Sequence, residues 1–578
     1  MAAGISSLSG CLNRRWSLWE RDSPSQVNVD ILTVPEDDDL YALRIAQNLA
    51  DNLQRAGIQA NIVPTRHANF LRTILVNQDF DMYVWRYTPQ RDPDAHRTLL
   101  HSRFVEERGW QNPYGFSNSV VDGLLEDQLQ ASTEGGRQSA LAELQDILVS
   151  ERPFIPLAFP QEHRLIRNDR ISHVGDESFF EPTWLYRILA SNPDAGSLQL
   201  GTTDSRLTHS LNPIGVEYRA YDGVLDLVYE SPAQLYNDDH VPWLAADWEW
   251  TSPQGAPRPT LELVLRDNLR WQDGEPLTSD DVVFTYEFLD DTSMTEEDPT
   301  IPSPRYRGRM TLLETAEAVD DTTIRYQFTE ASRDTVIRLL TVPVFPQHIW
   351  EGWTDVIEVA GIQLDDVTTD ALVEENLEPV GSGPYEVTSV EMDAEIELTL
   401  DEEHPFVDID SIDHPIPSIG PPRVGELVID VRPSISNITE SIRGGGLDGS
   451  LGTVGRLLRD EASQDDEIDP VEQQSQKLYH LGFNLRERPM NNSGFRTAIE
   501  RLIDRQFLYE EVFQESGRLT RTSVFDDTFI PANLVWRDTD VTRFAGEPGA
   551  GEVDEEEARE LFREAGFSYS EDGALLVN

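Results

Sequence analysis

Short strand patterns alternate with helix patterns over residues 27–160. Val27–Val34 alternates apolar and polar side chains, which predicts a half-buried strand. Leu40–Ala56 carries apolar residues at helical spacing and is followed by Gly57, which predicts a helix with a glycine after its end. Further strands are predicted at Ile58–Val63, Phe80–Trp85 and Ile155–Phe159, and further helices at Ala68–Val76, Val120–Leu129 and Gly136–Glu151. This alternation predicts a βαβ-type unit with a mostly parallel sheet.

The pattern changes from about Leu198, where short strands with regular alternation dominate. They are predicted at Leu198–Thr202, Thr260–Leu265, Thr323–Phe328, Glu386–Val390, Glu395–Leu400 and Glu426–Val431. Two helices are clear: Ser279–Asp290, for which Ser279 is the predicted N-cap, and Asp554–Ala565, which begins with acidic residues. The chain contains no internal repeat and is predicted to be mixed α/β.

The charge balance is extreme. The chain of 578 residues has 46 Lys and Arg against 105 Asp and Glu, a formal charge of −59, and Lys477 is its only lysine. Such a surface repels itself in dilute buffer, whereas at 1 M salt the Debye length is only about 3 Å. The composition therefore indicates adaptation to molar salt and is haloarchaeal-like. It excludes nucleic-acid binding and binding to anionic membranes through a basic patch.

The single cysteine lies near the start, in Leu8-Ser9-Gly10-Cys11. This pattern is typical of the cleavage site of a lipoprotein signal peptidase, which predicts lipidation of Cys11 and makes residues 1–26 a signal and tether. The alternative is a terminal stub with a chance cysteine. One cysteine allows no internal disulfide and no cysteine-rich metal site. No run of about 20 apolar residues is present to span a bilayer.

Several longer blocks carry a family resemblance. They are Leu244–Leu289 (LAADWEWTSPQGAPRPTLELVLRDNLRWQDGEPLTSDDVVFTYEFL), Glu378–Tyr385 (EPVGSGPY), Ala316–Phe328, Phe345–Trp350, Leu478–Leu508, Asp554–Gly573, Asn112–Leu125 and Phe154–Phe159. Together they resemble the family 5 extracellular solute-binding proteins, the oligopeptide-, dipeptide- and nickel-binding components of ABC importers. The resemblance implies a two-lobed, periplasmic-binding-protein-like α/β fold of type II with an extra inserted domain.

The order of these blocks differs from the order in the family. The block that resembles the family's end, Val27–Ala190, comes first here, and the family's start corresponds to about Ser197. A circular permutation explains this order, with residues 191–196 as the new connection; the alternative is a gene-fusion artefact. The permutation requires Asn578 and Val27 to lie close in space, within roughly 15 Å.

The resemblance also implies the division into domains. Residues 27–160 and 478–578 form domain III, residues 161–234 and 376–477 form domain I, and residues 235–375 form the inserted domain II. The ligand then lies between the lobes, against Arg86–Thr88 and Ile214–Ala220.

One position departs from the peptide-binding members of the family. In those members, the loop after the strand matching Phe80–Trp85 carries an aspartate that pairs with the peptide's α-ammonium. Here the aligned residue is Gln90, which brings no charge, and Asp92 and Asp94 are the alternative substitutes if the loop shifts. The expected ligand-binding residues are Trp85, Arg86, Tyr87, Thr88, Gln90, Asp92, Val216, Glu217 and Asn484. Trp85 is equally compatible with a core residue, Arg86 with a solvated arginine, and Asn484 with a buried structural amide.

No nucleophile elbow, zinc-binding HExxH pair or phosphate-binding loop occurs in the sequence. We therefore expect no catalytic residue, no metal and no cofactor. The expected function is that of a monomeric substrate-binding protein, lipid-anchored on the extracellular face of the membrane. It would capture a peptide or another extended polar solute by lobe closure for an ABC permease and its ATPase subunits. The alternatives are a ligand sensor that serves a receptor and a salt-adapted hydrolase.

Overall fold

The structure is a computed structural model. It describes residues 25–36, 38–87, 92–171, 183–191, 196–215, 223–236, 239–295, 300–358, 367–407, 419–475, 477–519 and 542–577. Cys11 and Asn578 lie outside the described residues.

Helices occur along the whole described chain, and the longest lie in its first third. They are α1 (Leu40–Arg55), α2 (His67–Leu71), α3 (Ala95–Leu100), α4 (Ser119–Gln130), α5 (Glu134–Glu151), α6 (Thr183–Ser191), α7 (Ser279–Asp290), α8 (Arg307–Met310), α9 (Arg333–Val336), α10 (Gln347–Trp350), α11 (Asp370–Val373), α12 (Ile435–Arg443), α13 (Arg456–Ala462), α14 (Ser493–Glu500), α15 (Arg505–Phe507) and α16 (Glu555–Glu564). The predicted helix Ala68–Val76 is α2 followed by a π-helical turn, Arg72–Asn77.

The predicted cap of α7 is wrong by one residue. Thr278 has extended backbone and forms a capping box with Asp281, whereas Ser279 lies inside the helix and donates to the Asp320 carbonyl. Each of Thr278 and Asp281 uses its side chain to accept a hydrogen bond from the other's backbone N–H. A cap at Ser279 would place Val282 at the third helix position, where no side-chain acceptor is available.

Strands make up most of the remainder. They are β1 (Ser25–Gln26), β2 (Asn28–Thr33), β3 (Gln59–Pro64), β4 (Met82–Tyr87), β5 (Phe154–Arg167), β6 (Ser197–Thr202), β7 (Ala233–Tyr236), β8 (Asp239–Pro242), β9 (Ala245–Trp250), β10 (Thr260–Leu265), β11 (Leu313–Asp320), β12 (Thr323–Phe328), β13 (Val356–Glu358), β14 (Val367–Thr369), β15 (Tyr385–Glu391), β16 (Glu395–Leu400), β17 (Glu426–Val431), β18 (Gly449–Ser450), β19 (Ile468–Gln474), β20 (Leu478–Phe483), β21 (Gly517–Leu519), β22 (Ser568–Tyr569) and β23 (Leu575–Val577).

One large mixed sheet runs through the molecule in the order β15-β16-β17-β6-β18-β5-β20-β4-β2-β3, and β19 and β21 also pair with β5. The predicted parallel unit is present, because β2 pairs in parallel with β3 and β4. Its neighbour β20 is antiparallel to both β4 and β5, so the sheet is mixed rather than mostly parallel at this point. A separate four-stranded sheet has the order β11-β12-β10-β9.

Strand β5 has 14 residues, although the sequence predicted only Ile155–Phe159. The predicted strand ended directly before Pro160, a residue without the N–H that a ladder needs. In the structure, the partner of β5 changes near this proline. Ala158 pairs with β20, and Gln161 pairs with β19. The Pro160 carbonyl accepts from the Ser475 N–H at 2.9 Å, so the ladder continues through its acceptor side.

Two large hydrophobic cores lie along this sheet. The first core is built from buried residues of 27–159 and 478–575. The second core is built from residues of 166–451 together with Leu129, and a smaller cluster forms around Ile438 and Ile442. Strand β5 contributes Phe154–Phe159 to the first core and Ile166 to the second. We call the contacts between residues of 27–159 or 478–577 and residues of 183–451 the seam.

The two ends of the described chain lie side by side. Strand β1 pairs antiparallel with β23, with Ser25 opposite Val577. The Val27 N–H also donates to the Leu575 carbonyl at 2.8 Å. The start of the first core's sheet is therefore hydrogen-bonded to the last strand of the chain.

A tight glycine turn joins strand β15 to the second core. Cβ atoms placed on Gly381 and Gly383 would lie 1.8 Å from the Val228 carbonyl oxygen and 2.2 Å from the Leu227 carbonyl oxygen. Only glycine fits where two backbones approach this closely. The predicted turn in Glu378–Tyr385 is thus a packing feature.

His480 on β20 lies at the centre of the first core and is fully buried. Its Nε2 is 3.0 Å from the Tyr83 hydroxyl, and its ring packs against Tyr83, Tyr114 and Phe154. Burial lowers the pKa of His480 to about 3, so the imidazole is neutral in the folded protein.

The free energy of unfolding should fall as the pH falls from about 6.5 to about 4.5, because the unfolded chain binds a proton at His480 that the folded chain does not. One such group contributes a slope of about 1.4 kcal/mol per pH unit. We expect His480→Gln to reduce the slope by about this amount in urea unfolding at about 2 M KCl. His348→Gln, on the partly exposed surface of α10, is the matched control. Equal slopes in wild type and His480→Gln would contradict the expectation.

Candidate ligand-binding site

Strand β4 delivers the predicted ligand-binding residues to one edge of the sheet. It lies between β2 and β20, and its register pairs Met82 with Phe483 at one end and Tyr87 with Leu478 at the other. Its carboxyl end therefore lies beside the carboxyl end of β2, the edge at which open α/β sheets bind ligands. Thr88 and Gln90, as well as the side chain of Tyr87, lie outside the described residues.

Trp85 is a residue of the first core and is only 5% exposed. Its ring lies 5.3 Å from that of Phe70 and 4.8 Å from that of His67. Of the two roles open for Trp85, the described contacts favour the packed one.

Arg86 is held by a buried carboxylate. Its Nε lies 3.1 Å from Oδ2 of Asp39, whose side chain is 3% exposed. Asp39 also accepts from the Tyr41 and Ala42 N–H groups as the N-cap of α1, and the Tyr479 hydroxyl donates to it at 2.7 Å. Asp39 thus fixes α1, β4 and β20 relative to one another and orients the guanidinium at the edge of the sheet.

A second polar group lies where the chain crosses between the cores. Glu162 of β5 is buried, its Oε1 accepts from the Ser475 hydroxyl at 2.9 Å, and Lys477 Nζ lies 3.3 Å from the same oxygen. Burial alone would raise the pKa of Glu162, but Lys477, followed by Arg86 and Arg164, outweighs it and holds the pKa below its usual value. The only lysine of the chain therefore neutralises a buried carboxylate at the crossing.

Asp92 joins the two cores. Its Oδ1 lies 2.7 Å from Arg137 and 3.3 Å from Arg338, which belongs to the second core's side. Next to it, Asp94 and Arg97 form an ion pair at 2.8 Å in which both side chains are 2% exposed. Burial would raise the pKa of Asp94, but Arg97 more than offsets this and lowers it.

Two further contacts cross the seam beside this ion pair. Arg97 donates to the Thr311 hydroxyl at 2.8 Å. Arg307 lies 3.1 Å from Glu107. Asp92 is therefore part of an ionic interface between the cores.

On another part of the seam, Arg206 Nη1 lies 2.8 Å from His67 Nδ1, and Asp204 holds the same arginine in a bidentate pair. Burial, followed by the charge of Arg206, lowers the pKa of His67 to about 2. A neutral imidazole accepts from the guanidinium, so this contact does not require a charged histidine.

Asn484 does not join the other candidates. It is 3% exposed, donates to the Gln78 carbonyl at 3.0 Å and lies at the Met82 end of β4, opposite to Arg86. Its contacts are those of a structural amide. Val216 and Glu217 lie outside the described residues.

The sequence analysis missed the arginines on the second core's side of the seam. Arg305, Arg307 and Arg309 occur within five residues of a strongly acidic chain, and this local excess of cations was a readable signal. Arg305 donates to the Pro213 carbonyl at 3.0 Å, directly before the predicted ligand segment Ile214–Ala220.

The described residues contain neither a metal-binding cluster nor a membrane-spanning helix. No group of three or more His, Cys, Asp or Glu side chains has the arrangement to hold a metal ion there. Within the same described ranges, no helix has the length and apolar composition needed to cross a bilayer.

Comparison with known proteins gives one family match and several partial relatives. The model of the bacterial extracellular solute-binding proteins, family 5 middle, matches residues 239–577, which is more than half of the chain. A putative binding protein of Brucella melitensis is 29% identical over 221 residues, which are 35% of this chain and 30% of that protein. A probable peptide-binding protein, YejA, of Agrobacterium fabrum is 27% identical over 201 residues, 34% of this chain and 29% of that protein. The chain thus spans under a third of the length of these curated relatives.

Among solved structures, the oligopeptide-binding protein AppA of Bacillus subtilis, in complex with a nonapeptide, is similar with a TM-score of 0.45 and 15% identity. The similarity covers 66% of each chain.

Asp39→Ala should destabilise the protein by about 2–4 kcal/mol, because it removes a helix cap and leaves Arg86 and Tyr479 without their shared acceptor. Asp51→Ala, an exposed site on the same helix, is the matched control and should change stability by less than about 0.5 kcal/mol. Urea unfolding at about 2 M KCl measures both. A loss of equal size in the two variants would show that Asp39 contributes nothing beyond its position in α1.

Proposed function

Since the chain belongs to the bacterial extracellular solute-binding proteins of family 5, we propose that it captures a peptide or another extended polar solute between its two cores and presents it to an ABC importer. The family match over residues 239–577 is the observation that carries this proposal. It is a binding function, in which closure over the ligand takes the place of chemistry.

The seam supports closure as the binding mode. The cores are joined covalently by β5 and by the connection from β19 to β20, which lie side by side at Pro160 and Ser475. Away from this crossing, Leu129 packs into the second core, and the other contacts described above between the cores are polar, such as those of Arg338 and Arg206. Polar interfaces within a chain separate more readily than apolar ones, so ligand contacts are able to bias them.

Peptides are the first ligand class to test, because one relative is named a probable peptide-binding protein. Within our proposal, Gln90 replaces the aspartate that pairs with an α-ammonium, and Asp92 is already engaged by Arg137 and Arg338. We therefore propose that the ligand is held mainly by contacts other than an amino-terminal ion pair. Trp85, Arg86 and Tyr87 would form the β4 side of the site, with Thr88, Gln90, Val216 and Glu217 as further ligand contacts.

The cellular setting is part of the proposal. The partners are a permease and its ATPase subunits, the location is the extracellular face of the membrane, and Cys11 carries the lipid anchor. The surplus of 105 acidic over 46 basic residues supports a working environment of molar salt. We also propose that the protein is a monomer. Its domain III comprises residues 27–160 and 478–578, domain I comprises residues 161–234 and 376–477, and domain II comprises residues 235–375.

We further propose that the chain is a circular permutant of the family order. The pairing of Ser25 with Val577 and the 2.8 Å hydrogen bond from Val27 to Leu575 support it, because the permutation requires these ends to be neighbours. The match of the family model to the later part of the chain agrees with the same order.

A rearranged chain tests the permutation. It begins at Ser197, runs to Val577, continues through a two-residue Asn-Gly turn into Ser25 and ends at Ala190. We expect it to fold with a free energy of unfolding within about 1 kcal/mol of the natural order, because only an exposed joint moves. The control opens the chain inside α7, between Phe284 and Thr285, and should not fold. Failure of the first rearrangement, with soluble and folded natural chain beside it, would contradict the proposal.

A ligand screen tests the binding function. Thermal unfolding of the full chain at about 2 M KCl is compared with and without tripeptides, pentapeptides, nickel–histidine, maltose and spermidine. A ligand present at about 100 times its Kd should stabilise the folded state by about 2.7 kcal/mol. Stabilisation by peptides would support peptide capture, and stabilisation by another solute alone would support capture with a different ligand class. Slow consumption of a solute without stoichiometric binding would contradict a binding protein.

A further inference from the structure

Three arginines on the second core's side lie together at the seam. The guanidinium carbons of Arg305 and Arg309 are 5.7 and 6.0 Å from the ring centroid of Tyr306, so the two cations flank one aromatic ring. Arg338 is their electrostatic neighbour, because its charge and that of Arg305 both act on Arg309. We call Arg305, Arg309 and Arg338 the arginine cluster.

Within the arginine cluster, Arg338 pairs with carboxylates, whereas Arg305 and Arg309 donate to backbone carbonyls. Arg338 faces Asp92 and Asp94 at 3.3 and 3.8 Å. Arg305 and Arg309 instead donate to the backbone carbonyls of Pro213 and Thr341, each at 3.0 Å. Among the residues that the structure describes, no carboxylate lies within 4.0 Å of either of these two arginines.

This arrangement is unusual for a chain with 105 acidic residues, where acceptors for an arginine are abundant. Burial, followed by repulsion from Arg338, lowers the pKa of Arg309 to about 10. His240 on β8 is kept neutral by burial and by Arg338 and Arg309, with its pKa lowered to about 4. Arg338 and Arg305 thus repel Arg309, with Asp226 opposing them in part, and an added anion would relieve this repulsion between like charges.

The arginine cluster is partly open to solvent and lies beside segments that the proposed function assigns to ligand binding. Arg305 and Arg309 remain partly exposed, while Tyr306 between them is buried at 7% exposure. Through Pro213 the cluster touches the segment that leads into Ile214, and through Asp92 it touches the end of the loop that follows β4. It therefore lies between the two parts of the chain that the proposed function assigns to ligand binding.

We propose that Arg305 and Arg309, with Arg338 beside them, receive a carboxylate of the ligand, so that the captured solute is an anion. This inference rests on the proposed binding function and narrows its substrate class. A planar guanidinium matches a carboxylate in a bidentate pair, which the ammonium of a lysine does not. The carboxyl terminus of a peptide and the carboxylate of a non-peptide acid offer the same chemistry.

The test compares acids with their neutral counterparts on the full chain. Isothermal titration at about 2 M KCl uses a set of tripeptides with free carboxyl termini, the same set as carboxyl-terminal amides, gluconate, glutarate and maltose. We expect at least one free acid to bind. Its neutral counterpart should bind at least about tenfold more weakly, because one charge-assisted hydrogen-bonded contact is lost.

Arg305→Gln and Arg309→Gln should each weaken binding of that acid by about tenfold or more, and Arg309→Lys should restore part of the loss. Arg258→Gln is the matched control, because Arg258 is half-exposed on the same side and pairs with Glu314 at 2.9 Å. Urea midpoints of the ligand-free variants separate the roles. A receptor arginine in a repulsive cluster is expected to leave the midpoint unchanged or raised, whereas a structural arginine lowers it.

The titrations distinguish a peptide from a non-peptide acid as the source of the carboxylate. Binding of tripeptide acids supports the inference with a peptide as the source of the carboxylate, and binding of gluconate or glutarate alone supports it with a non-peptide acid. Amides or maltose that bind as tightly as the acids, with no loss in the glutamine variants, overturn the anionic ligand and leave the binding function standing. Absence of binding by every probe overturns the anionic ligand, and the ligand screen of the full chain then decides the binding function separately.

Discussion

Strand β5 is the element that both cores share, and the remaining architecture depends on where it crosses between them. Its first half packs into the first core and pairs with β20, and its second half pairs with β19 beside the second core. At the crossing, buried Glu162 is satisfied by Ser475 and by Lys477. A buried carboxylate is costly without such partners, so this group fixes the register of the two connections.

Several further contacts across the seam are made by arginines, in a chain that is poor in cations. Arg97, Arg206, Arg307 and Arg338 all reach across it. In molar salt, ion pairs on the open surface are largely screened, whereas pairs shielded between two cores keep more of their strength. The four arginines at the seam therefore contribute to the relative position of the cores.

The residues first expected to bind ligand divide by what already engages them. Trp85 is packed, Arg86 is held by Asp39, and Asp92 is held by Arg137 and Arg338. These contacts orient the edge of the sheet and leave less of each side chain for a solute. In our proposal, specificity depends on Arg305 and Arg309, which donate to backbone carbonyls and lie outside β4.

The sequence by itself determined the family, the mixed α/β class and most helices and strands, because periodicity and local blocks are carried by neighbouring residues. It also indicated that Val27 and the chain's end are neighbours. Only the tertiary structure decided that β5 continues past Pro160 and that Asn484 lies away from Arg86. These depend on partners hundreds of residues away, as does the pairing of Arg338 with Asp92. Such pairings leave no periodic signal in a single chain, since the geometry that creates them exists only after folding.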